Sequence, residues 1–350
     1  MGRAADPLAF FEALRRQPYA YDFYQAMRRL ENLHLDKPRL GEALRPADEP
    51  VRLGQEPSLS FAPAPLSAFE PGRDGKPARL QVRFFGLLGP NGPLPLHLTE
   101  YARDRLRHAA DASFPHFLDL LQHRFLVLFY RAWAQAQPTV SLDRPQDDRF
   151  SRYIGSLVGL GLPALRGRDS VHDFAKFFRA QWLVRQVRNV DGLRAILSSY
   201  FRVPAWIEQF VGHWMKLPES QRSRLGVPGG TTLGRDAVIG QQVWDRQHKF
   251  RIHLGPLTLP QYESFLPGGA NLRKLLDWVR TYLCFEFQWD MRLSLENREV
   301  PVSRLGRYGR LGWTTWIGRP GTPVDAEDLV LDAEAIAARS ASFEDGMTQR

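Results

Sequence analysis

The pattern of hydrophobic positions along the chain predicts a helical middle third between two regions of mixed helix and strand. Four stretches place apolar side chains at helical spacing: 99–110, 115–134, 174–182 and 193–201. Three others alternate apolar with polar residues, as half-buried strands do: 80–84, 249–254 and 285–295. We therefore predict an α+β fold, with a central helical bundle and small β-rich units at both ends.

The helix predicted over residues 115–134 is apolar around most of its circumference. Its apolar residues include Phe117, Leu118, Leu121, Phe125, Leu128, Phe129 and Trp133. A helix that is apolar nearly all round must be buried on every side, and one neighbouring element of the same chain does not achieve that. We therefore expect a partner chain to contact Phe117, Leu121, Phe125, Phe129 and Trp133.

Seven prolines between Asp36 and Lys76 mark a region of different character. Proline excludes helix and most central strand, so we expect short strands only at Val51–Leu53 and Leu59–Phe61. We predict that residues 57–77 form a projecting loop that is dispensable for folding, because extended Pro-rich segments lose little freedom on docking. Its docking residues would be Leu59, Phe61, Leu66 and Phe69. A solvated connector is the alternative, with Leu217–Thr232 as the second candidate loop.

These patterns divide the chain into five segments: N-terminal helices at 1–35, a proline-rich loop and β-rich unit at 36–98, a helical core at 99–202, an α+β unit at 203–318 and an acidic tail at 319–350. The only aromatic residue of the tail is Phe343, and we expect this segment to be loosely held. Residues 52–101 and 232–267 share a strand, a Leu-Gly-Pro triplet and a helix. An internal duplication and a chance similarity are both open.

The net charge of +9 and the pI of 9.9 raise the alternative of a nucleic-acid-binding protein with an Arg-rich surface. However, 41 of the 47 basic residues are arginines, scattered along the chain, and arginine suits ion pairs and protein interfaces. We therefore expect no nucleic-acid partner. The longest apolar run, Phe125–Tyr130, is much shorter than the about 20 residues that span a bilayer. No secretory signal is apparent, so we expect a cytoplasmic protein.

No motif supports catalysis, a cofactor or a metal. Gly86, Gly89 and Gly92 precede a predicted helix, as in some phosphate-binding loops, but the prolines at 90, 93 and 95 remove N–H donors. We interpret this stretch as a rigid turn. The histidines lack the H-E-x-x-H spacing of a zinc site, and Cys284, the only cysteine, is interpreted as a core residue. We expect no enzymatic activity, no cofactor and no metal site.

Four stretches resemble the type VI secretion baseplate family TssG, also called ImpH or VasB. They are FYQAMRRLE (23–31), FFGLLGPNGPLPLHLTEYARDRL (84–106), LGRDAVIGQQVWDRQHKFRIHLGPLTLPQYESFLPGG (233–269) and LGRYGRLGWTTWIG (305–318). The resemblance covers about residues 6–318. The acidic tail and the length of the loop at 36–78 depart from it.

The resemblance implies a structural role without catalytic residues. Members of this family join two copies of TssF into the core of a baseplate wedge, which also carries TssE and TssK. Such wedges surround the VgrG spike of a contractile, phage-tail-like injector. The resemblance therefore implies a hetero-oligomer at the cytoplasmic face of the inner membrane, in which projecting loops of this chain seat TssK trimers.

Overall fold

The computed structural model of the protein describes residues 7–45, 48–72, 77–224, 226, 232, 234–235, 237–302, 309–316 and 324–339. The chain forms two compact units, residues 1–151 and residues 152–350. Their boundary lies inside the segment 99–202, which we predicted as one helical core, so the middle helices are divided between the units. Both units combine helices with a small sheet, which confirms the α+β fold class.

The N-terminal unit packs helices against a three-stranded sheet. Its helices are α1 (Pro7–Arg16), α2 (Phe23–Leu33), α3 (Leu96–His108), α4 (Ser113–Gln135) and α5 (Pro138–Leu142), and α6 (Arg149–Leu157) contains the boundary. Its strands are β1 (Val51–Gln55), β2 (Leu66–Glu70) and β3 (Ala78–Val82). The sheet order is β1-β3-β2, with β1 parallel and β2 antiparallel to β3.

Helix α2 shows how the core of this unit forms. The Gln25 N–H donates to the Asp22 carboxylate at 3.2 Å, which caps the start of the helix. The helix buries Phe23, Ala26, Met27 and Leu30, the face that the helical spacing predicts. These side chains belong to one apolar cluster with residues of all three strands and with one side of α4.

The proline-rich region folds differently from our prediction. Residues Leu59–Phe61 form no strand; the strand is instead β2, which begins directly after Pro65. Proline is compatible with this position because β2 forms its ladder through later residues at the edge of the sheet. Leu66 and Phe69 are 1% and 4% exposed. They are core residues, which corrects both their assignment to a partner contact and the prediction that this loop is dispensable for folding.

The C-terminal unit contains the larger sheet. Its helices are α7 (Asp173–Phe178), α8 (Ala180–Leu183), α9 (Val190–Phe201), α10 (Leu259–Phe265), α11 (Ala270–Leu283) and α12 (333–339). Its strands are β4 (Ala205–Glu208), β5 (His213–Lys216), β6 (Gln242–Asp245), β7 (Lys249–Leu257), β8 (Gln288–Leu295) and β9 (Ala326–Leu331). Across both units, 3₁₀ turns lie at Pro18–Ala20, Pro145–Asp147, Pro163–Leu165, Glu219–Gln221 and Asn297–Glu299.

The main sheet of this unit has the order β4-β7-β8-β9. β7 and β8 are parallel, and the two outer strands are antiparallel to their neighbours. The predicted alternation is correct within β8, which buries Trp289, Met291, Leu293 and Leu295. The predicted start of this strand is wrong: Phe285 is 79% exposed, because the chain turns at Cys284 with φ of +58° before β8 begins. Cys284 itself is exposed, not a core residue.

Helices α9 and α11 pack against this sheet. The Gly192 N–H donates to Asn189 Oδ1 at 2.9 Å and so caps α9, which buries Leu193, Ile196 and Leu197. α11 begins after Gly269 and buries the apolar face that its sequence predicts. Both helices share an apolar cluster with the inward residues of β7 and β8.

Part of the acidic C-terminal segment belongs to the fold. β9 pairs with β8, and Leu331 and Ala333 are buried. Arg280 of α11 forms a bidentate ion pair with Glu334 of α12, donating to both carboxylate oxygens. These contacts correct the expectation of a loosely held tail for residues 324–339, while 319–323 and 340–350 lie outside the described residues.

The two copies of the suggested repeat differ in structure. Leu88-Gly89-Pro90 lies between β3 and α3, whereas Leu254-Gly255-Pro256 lies within β7. Leu233, in the first triplet of the second copy, lies outside the described residues. This geometry favours chance similarity over duplication.

Candidate partner-binding surfaces

Helix α4 buries one side, on which Leu126, Val127 and Tyr130 enter the apolar core next to polar residues, and it turns further apolar side chains towards solvent. Its buried residues include Asp119, Gln122 and His123. Its exposed residues, between 39% and 74% accessible, include Phe117, Leu120, Leu121, Phe125, Leu128 and Phe129. We call these six residues the α4 apolar face. In the chain by itself this helix is buried on one side only, so the coverage of its other side by a partner chain stays a prediction.

The buried polar side chains of α4 bind the free edge of β1. This strand pairs only with β3 among the described strands, and an edge strand leaves backbone groups without partners. The Leu53 N–H donates to His123 Nδ1 at 3.0 Å, and the Gln55 N–H donates to Asp119 Oδ1 at 2.9 Å. Because a buried N–H without a partner is costly, these bonds fix the polar side of α4 against the strand.

Charged contacts reinforce the same junction. Asp119 pairs with Arg79 of β3, and His123, whose Nδ1 is an acceptor, donates through Nε2 to Glu49. Burial raises the pKa of Glu49, but the hydrogen bond from His123 and the nearby charges of Arg52 and Arg124 together outweigh this effect and hold that pKa below its usual value. Gly54 permits the close approach, because a Cβ there would lie 2.5 Å from Asp119 Oδ2.

The predicted partner-binding residues differ in exposure: some are half-buried and others face solvent. Trp133 is half-buried and stacks on Tyr24, with ring centroids 4.7 Å apart. Phe61 is 80% exposed and Leu59 is half-buried. Four of the predicted residues lie together on the α4 apolar face: Phe117, Leu121, Phe125 and Phe129.

Phe84 and Phe85, which are not among the predicted partner-binding residues, extend this surface beyond α4. Phe85 stacks on Phe129 with a centroid separation of 5.6 Å, and Phe84 lies 5.9 Å from the same ring. The two residues are 41% and 37% exposed. The available signal was the pair of consecutive aromatic residues just after β3. Two neighbouring side chains of an extended segment cannot both enter the core, so such a pair indicates exposed aromatic surface.

The glycine-rich stretch 86–95 is a turn in which several amides, including those of Leu88 and Gly89, are engaged within the protein. The Leu88 N–H donates to Gln55 Oε1 at 2.8 Å, and Gln55 Nε2 donates to the Leu88 carbonyl at 2.6 Å. The Gly89 N–H donates to Thr99 Oγ1 at 3.0 Å. A phosphate loop needs such amides directed at the ligand. The geometry therefore agrees with a rigid turn before α3.

A second group of exposed aromatic rings lies in the C-terminal unit. β5 and β6 form a separate two-stranded sheet in which Trp214 faces Trp244, and these residues are 61% and 54% exposed. In β4, Trp206 stacks on His253 at 3.8 Å. The candidate loop Leu217–Thr232 connects β5 to β6, and residues 225 and 227–231 within it lie outside the described residues.

Many arginines are held by carboxylates or aromatic rings. Arg179 lies 5.2 Å from the ring centroid of Tyr200 and 5.5 Å from that of Trp278. Ion pairs include Arg28–Asp143, Arg83–Glu56, Arg131–Glu42, Arg251–Asp290 and Arg280–Glu334. No observation among the described residues specifically favours a nucleic-acid surface.

The histidines and carboxylates of the described residues are engaged mainly in contacts that hold the fold. Among the described residues, no group of three or more His, Cys, Asp or Glu side chains is placed to hold a metal ion. His116 contacts Arg79, and His123 is engaged by Glu49 and β1. Within the same part of the chain, no helix has the length and apolar character needed to cross a membrane.

Comparison with solved structures supports the overall fold. A chain of "The baseplate complex from the type VI secretion system" is 23% identical, with a TM-score of 0.61 and coverage of 93% of each chain; at this identity the likeness shows the fold alone. A chain of a type VI secretion TssK-TssF-TssG baseplate subcomplex, determined by cryo-electron microscopy, is 21% identical over 61% of this chain and 89% of that one. Its TM-score of 0.47 is too low to carry an argument.

The sequence itself carries the assignment to a family. A comparison with curated proteins gives no match. The profile of the family described as type VI secretion, TssG, matches residues 17–318, which is well over half of the chain. The protein therefore belongs to the TssG family of type VI secretion.

Proposed function

We propose that the chain is a structural subunit of the type VI secretion baseplate, where it joins two TssF-like subunits and docks TssK-like trimers. A TssE-like subunit and a VgrG-like spike complete the surrounding assembly. In this role the protein works in the cytoplasm, at the cytoplasmic face of the inner membrane, without catalysis or a cofactor. Family membership supports the role, and the surface chemistry described above supports its mechanism.

The α4 apolar face is the observation that carries this proposal. Interfaces of permanent complexes are rich in aromatic and aliphatic side chains, whereas a monomer rarely exposes a large contiguous apolar patch. The polar side of α4 is committed to β1 through Asp119 and His123. Rotating the helix to bury its apolar side would break those bonds, so a partner must cover that side. We assign this partner as the TssF-like subunit.

Co-expression with a tagged TssF-like protein tests this assignment. The variant Phe117→Ser/Leu121→Ser/Phe125→Ser removes central contacts and is expected to reduce co-purification by more than about tenfold. The matched control is Leu8→Ser/Leu35→Ser/Leu44→Ser, which changes residues 74%, 63% and 98% exposed in the same unit but outside α4. Full co-purification of the α4 variant, or equal loss with the control, would overturn the assignment.

Docking of a TssK-like trimer is proposed to involve Phe61 and the half-buried Leu59. Phe61 is 80% exposed in the proline-rich region, and an exposed aromatic ring on a stiff segment is a suitable anchor. Phe61→Ser is expected to weaken recovery of the TssK-like protein and to leave that of the TssF-like protein unchanged. If recovery of both is unchanged, the loop is a connector and Leu217–Thr232 is the next segment to test.

A further inference from the structure

An apolar pocket lies at the edge of the C-terminal sheet where β7 and β8 begin. Its volume is about 210 Å³, and Leu193, Phe250 and Leu283 contribute to its lining. Phe210 and Phe287 also line it and are 61% and 37% exposed. An apolar recess of this size and openness suits a bulky apolar side chain better than water, which needs polar partners.

Two arginines add positive charge beside this pocket. Arg188 lines it and donates to the carbonyls of Trp182 and Leu183. Arg246 donates to the carbonyl of Phe210. Among the described residues, neither guanidinium has a carboxylate within ion-pair distance, whereas Lys249, which also lines the pocket, is paired with Asp290 at 2.9 Å. The site is therefore complementary to an apolar side chain that has acidic neighbours.

The C-terminal part of the chain returns to this same edge of the sheet. β9 is antiparallel to β8 and ends at Leu331, which pairs with Met291 near the start of β8. α12 follows directly, and its Glu334 pairs with Arg280. Arg280 precedes Leu283, which lines the pocket, by three residues, and residues three apart lie on the same side of a helix. The start of α12 is therefore held on the side of α11 that leads to the pocket.

The segment that follows α12 has the complementary chemistry. Phe343, the only aromatic residue after position 318, is followed by Glu344 and Asp345. From Glu334 to the last described residue, Arg339, five helical residues rise about 7.5 Å. Four further residues in extended form reach about 13 Å. The chain from Glu334 to Phe343 therefore spans up to about 20 Å, starting from the residue that pairs with Arg280, one turn before Leu283 at the pocket.

We propose that residues 340–350 dock on the chain's own C-terminal unit, with the Phe343 ring in the pocket and Glu344 and Asp345 facing Arg188 and Arg246. This contact goes beyond the proposed baseplate role, because it requires neither a TssF-like nor a TssK-like partner. In the docked state the segment shields the Phe210 and Phe287 rings from solvent. It is a self-contact of the full chain.

The single cysteine provides a direct test in the full-length protein. Cys284 is exposed and follows Leu283 at the pocket, so Ser342→Cys introduces one possible intramolecular disulfide partner. Under mild oxidation, Ser342→Cys is expected to form the disulfide with Cys284 at least about fivefold faster than Thr348→Cys, because docking raises the effective concentration of the nearer thiol. Non-reducing electrophoresis and peptide mass mapping identify the product.

Substitutions in the Ser342→Cys background separate docking from random encounter. Phe343→Ala, Phe210→Ala and Glu344→Lys/Asp345→Lys are each expected to reduce the rate to that of Thr348→Cys, while Met347→Ala leaves it unchanged. Phe210, the one substituted residue among those that the structure describes, is 61% exposed. A rate that is independent of Phe343 or of Phe210 overturns the proposal. A disulfide-linked dimer in place of the intramolecular product also overturns it, because a second copy then supplies the segment.

Discussion

Trp289 and Arg292 of β8 point to opposite faces of the C-terminal sheet and give contrasting tests of its core. Trp289 is 4% exposed, and its ring lies 6.4 Å from that of Phe250. Trp289→Ala leaves a cavity and is expected to lower the free energy of unfolding by about 3–5 kcal/mol. Arg292 has no ion pair among the described residues, so Arg292→Ala is expected to cost less than about 0.5 kcal/mol. Urea denaturation followed by circular dichroism measures both, and equal losses would contradict the assigned faces.

Asp290 is buried on the polar face of β8 and links two strands. Arg251 Nε lies 2.5 Å and Lys249 Nζ 2.9 Å from its carboxylate. Burial raises the pKa of Asp290, but the hydrogen bonds from Arg251 and Lys249 lower it below the usual value. Because the folded-state pKa is the lower one, the ionised carboxylate stabilises the fold above the unfolded-state pKa of about 3.9. That stabilisation is lost as the pH falls through the folded-state pKa.

We therefore expect Asp290→Asn to lower the free energy of unfolding at neutral pH. We also expect the free energy of unfolding of this variant to fall less steeply as the pH is lowered. The neutral-pH loss follows because the substitution leaves two cations near a buried site without their carboxylate. Urea midpoints measured from neutral pH to about pH 3 test this, with Asp104→Asn as control, since the Asp104 side chain is 59% exposed. A fall as steep in Asp290→Asn as in the unchanged protein would exclude this role.

At the scale of single elements, Asp119 and Phe125 of α4 reverse the usual effects of polar and apolar substitutions, because the polar residue is buried and the apolar one is exposed. Asp119→Ala leaves the Gln55 N–H and Arg79 without their partner and is expected to cost about 3–5 kcal/mol in the unassembled chain. Phe125→Ser changes a residue that is 62% exposed and is expected to cost less than about 0.5 kcal/mol there. Unfolding of the chain purified as a fusion with a solubility tag measures both values. A larger cost for Phe125→Ser would mean that α4 packs through its apolar face.

The proline-rich region gives a second prediction at this scale. Replacing residues 60–76 with a short Gly/Ser linker removes β2 together with Leu66 and Phe69, so the N-terminal unit is expected to unfold or to lose most of its stability. Phe61→Ser within the same region leaves the core intact and should melt like the unchanged protein. Circular dichroism melts compare the two variants. A stable linker variant would mean that β1, β3 and the helices suffice for this unit.

The sequence predicts elements well where one apolar face meets the core of the same chain. The faces of α2 and α9 and the inward residues of β8 follow directly from their spacing. Spacing does not reveal which side of a helix is buried when polar side chains bind a strand edge, so the orientation of α4 was missed. β9 was missed because Glu327 and Asp328 are exposed on an edge strand, where charges are tolerated. The apolar pattern of α4 includes Phe117 and Phe125, which lie on the exposed surface, but it does not reveal Phe84 and Phe85, which reach that surface only through the turn after β3.

For the whole molecule, the exposed apolar surface predicts dependence on a partner. The chain expressed by itself is expected to be poorly soluble or aggregated, and co-expression with a TssF-like protein is expected to yield a monodisperse complex. Size-exclusion chromatography with light scattering distinguishes the two states. A stable monomer that does not bind the TssF-like protein would contradict both this expectation and the proposed role of α4.

The commitment of α4 to β1 also has a consequence for protein turnover in the cell. Because Asp119 and His123 hold one side of the helix, a chain that lacks its partner cannot conceal the other side by a modest rotation. Chaperones and proteases act on exposed apolar segments of this kind. We therefore expect unassembled copies to be removed faster than assembled ones, so that the cellular level of this subunit follows the supply of its partner without any dedicated regulator.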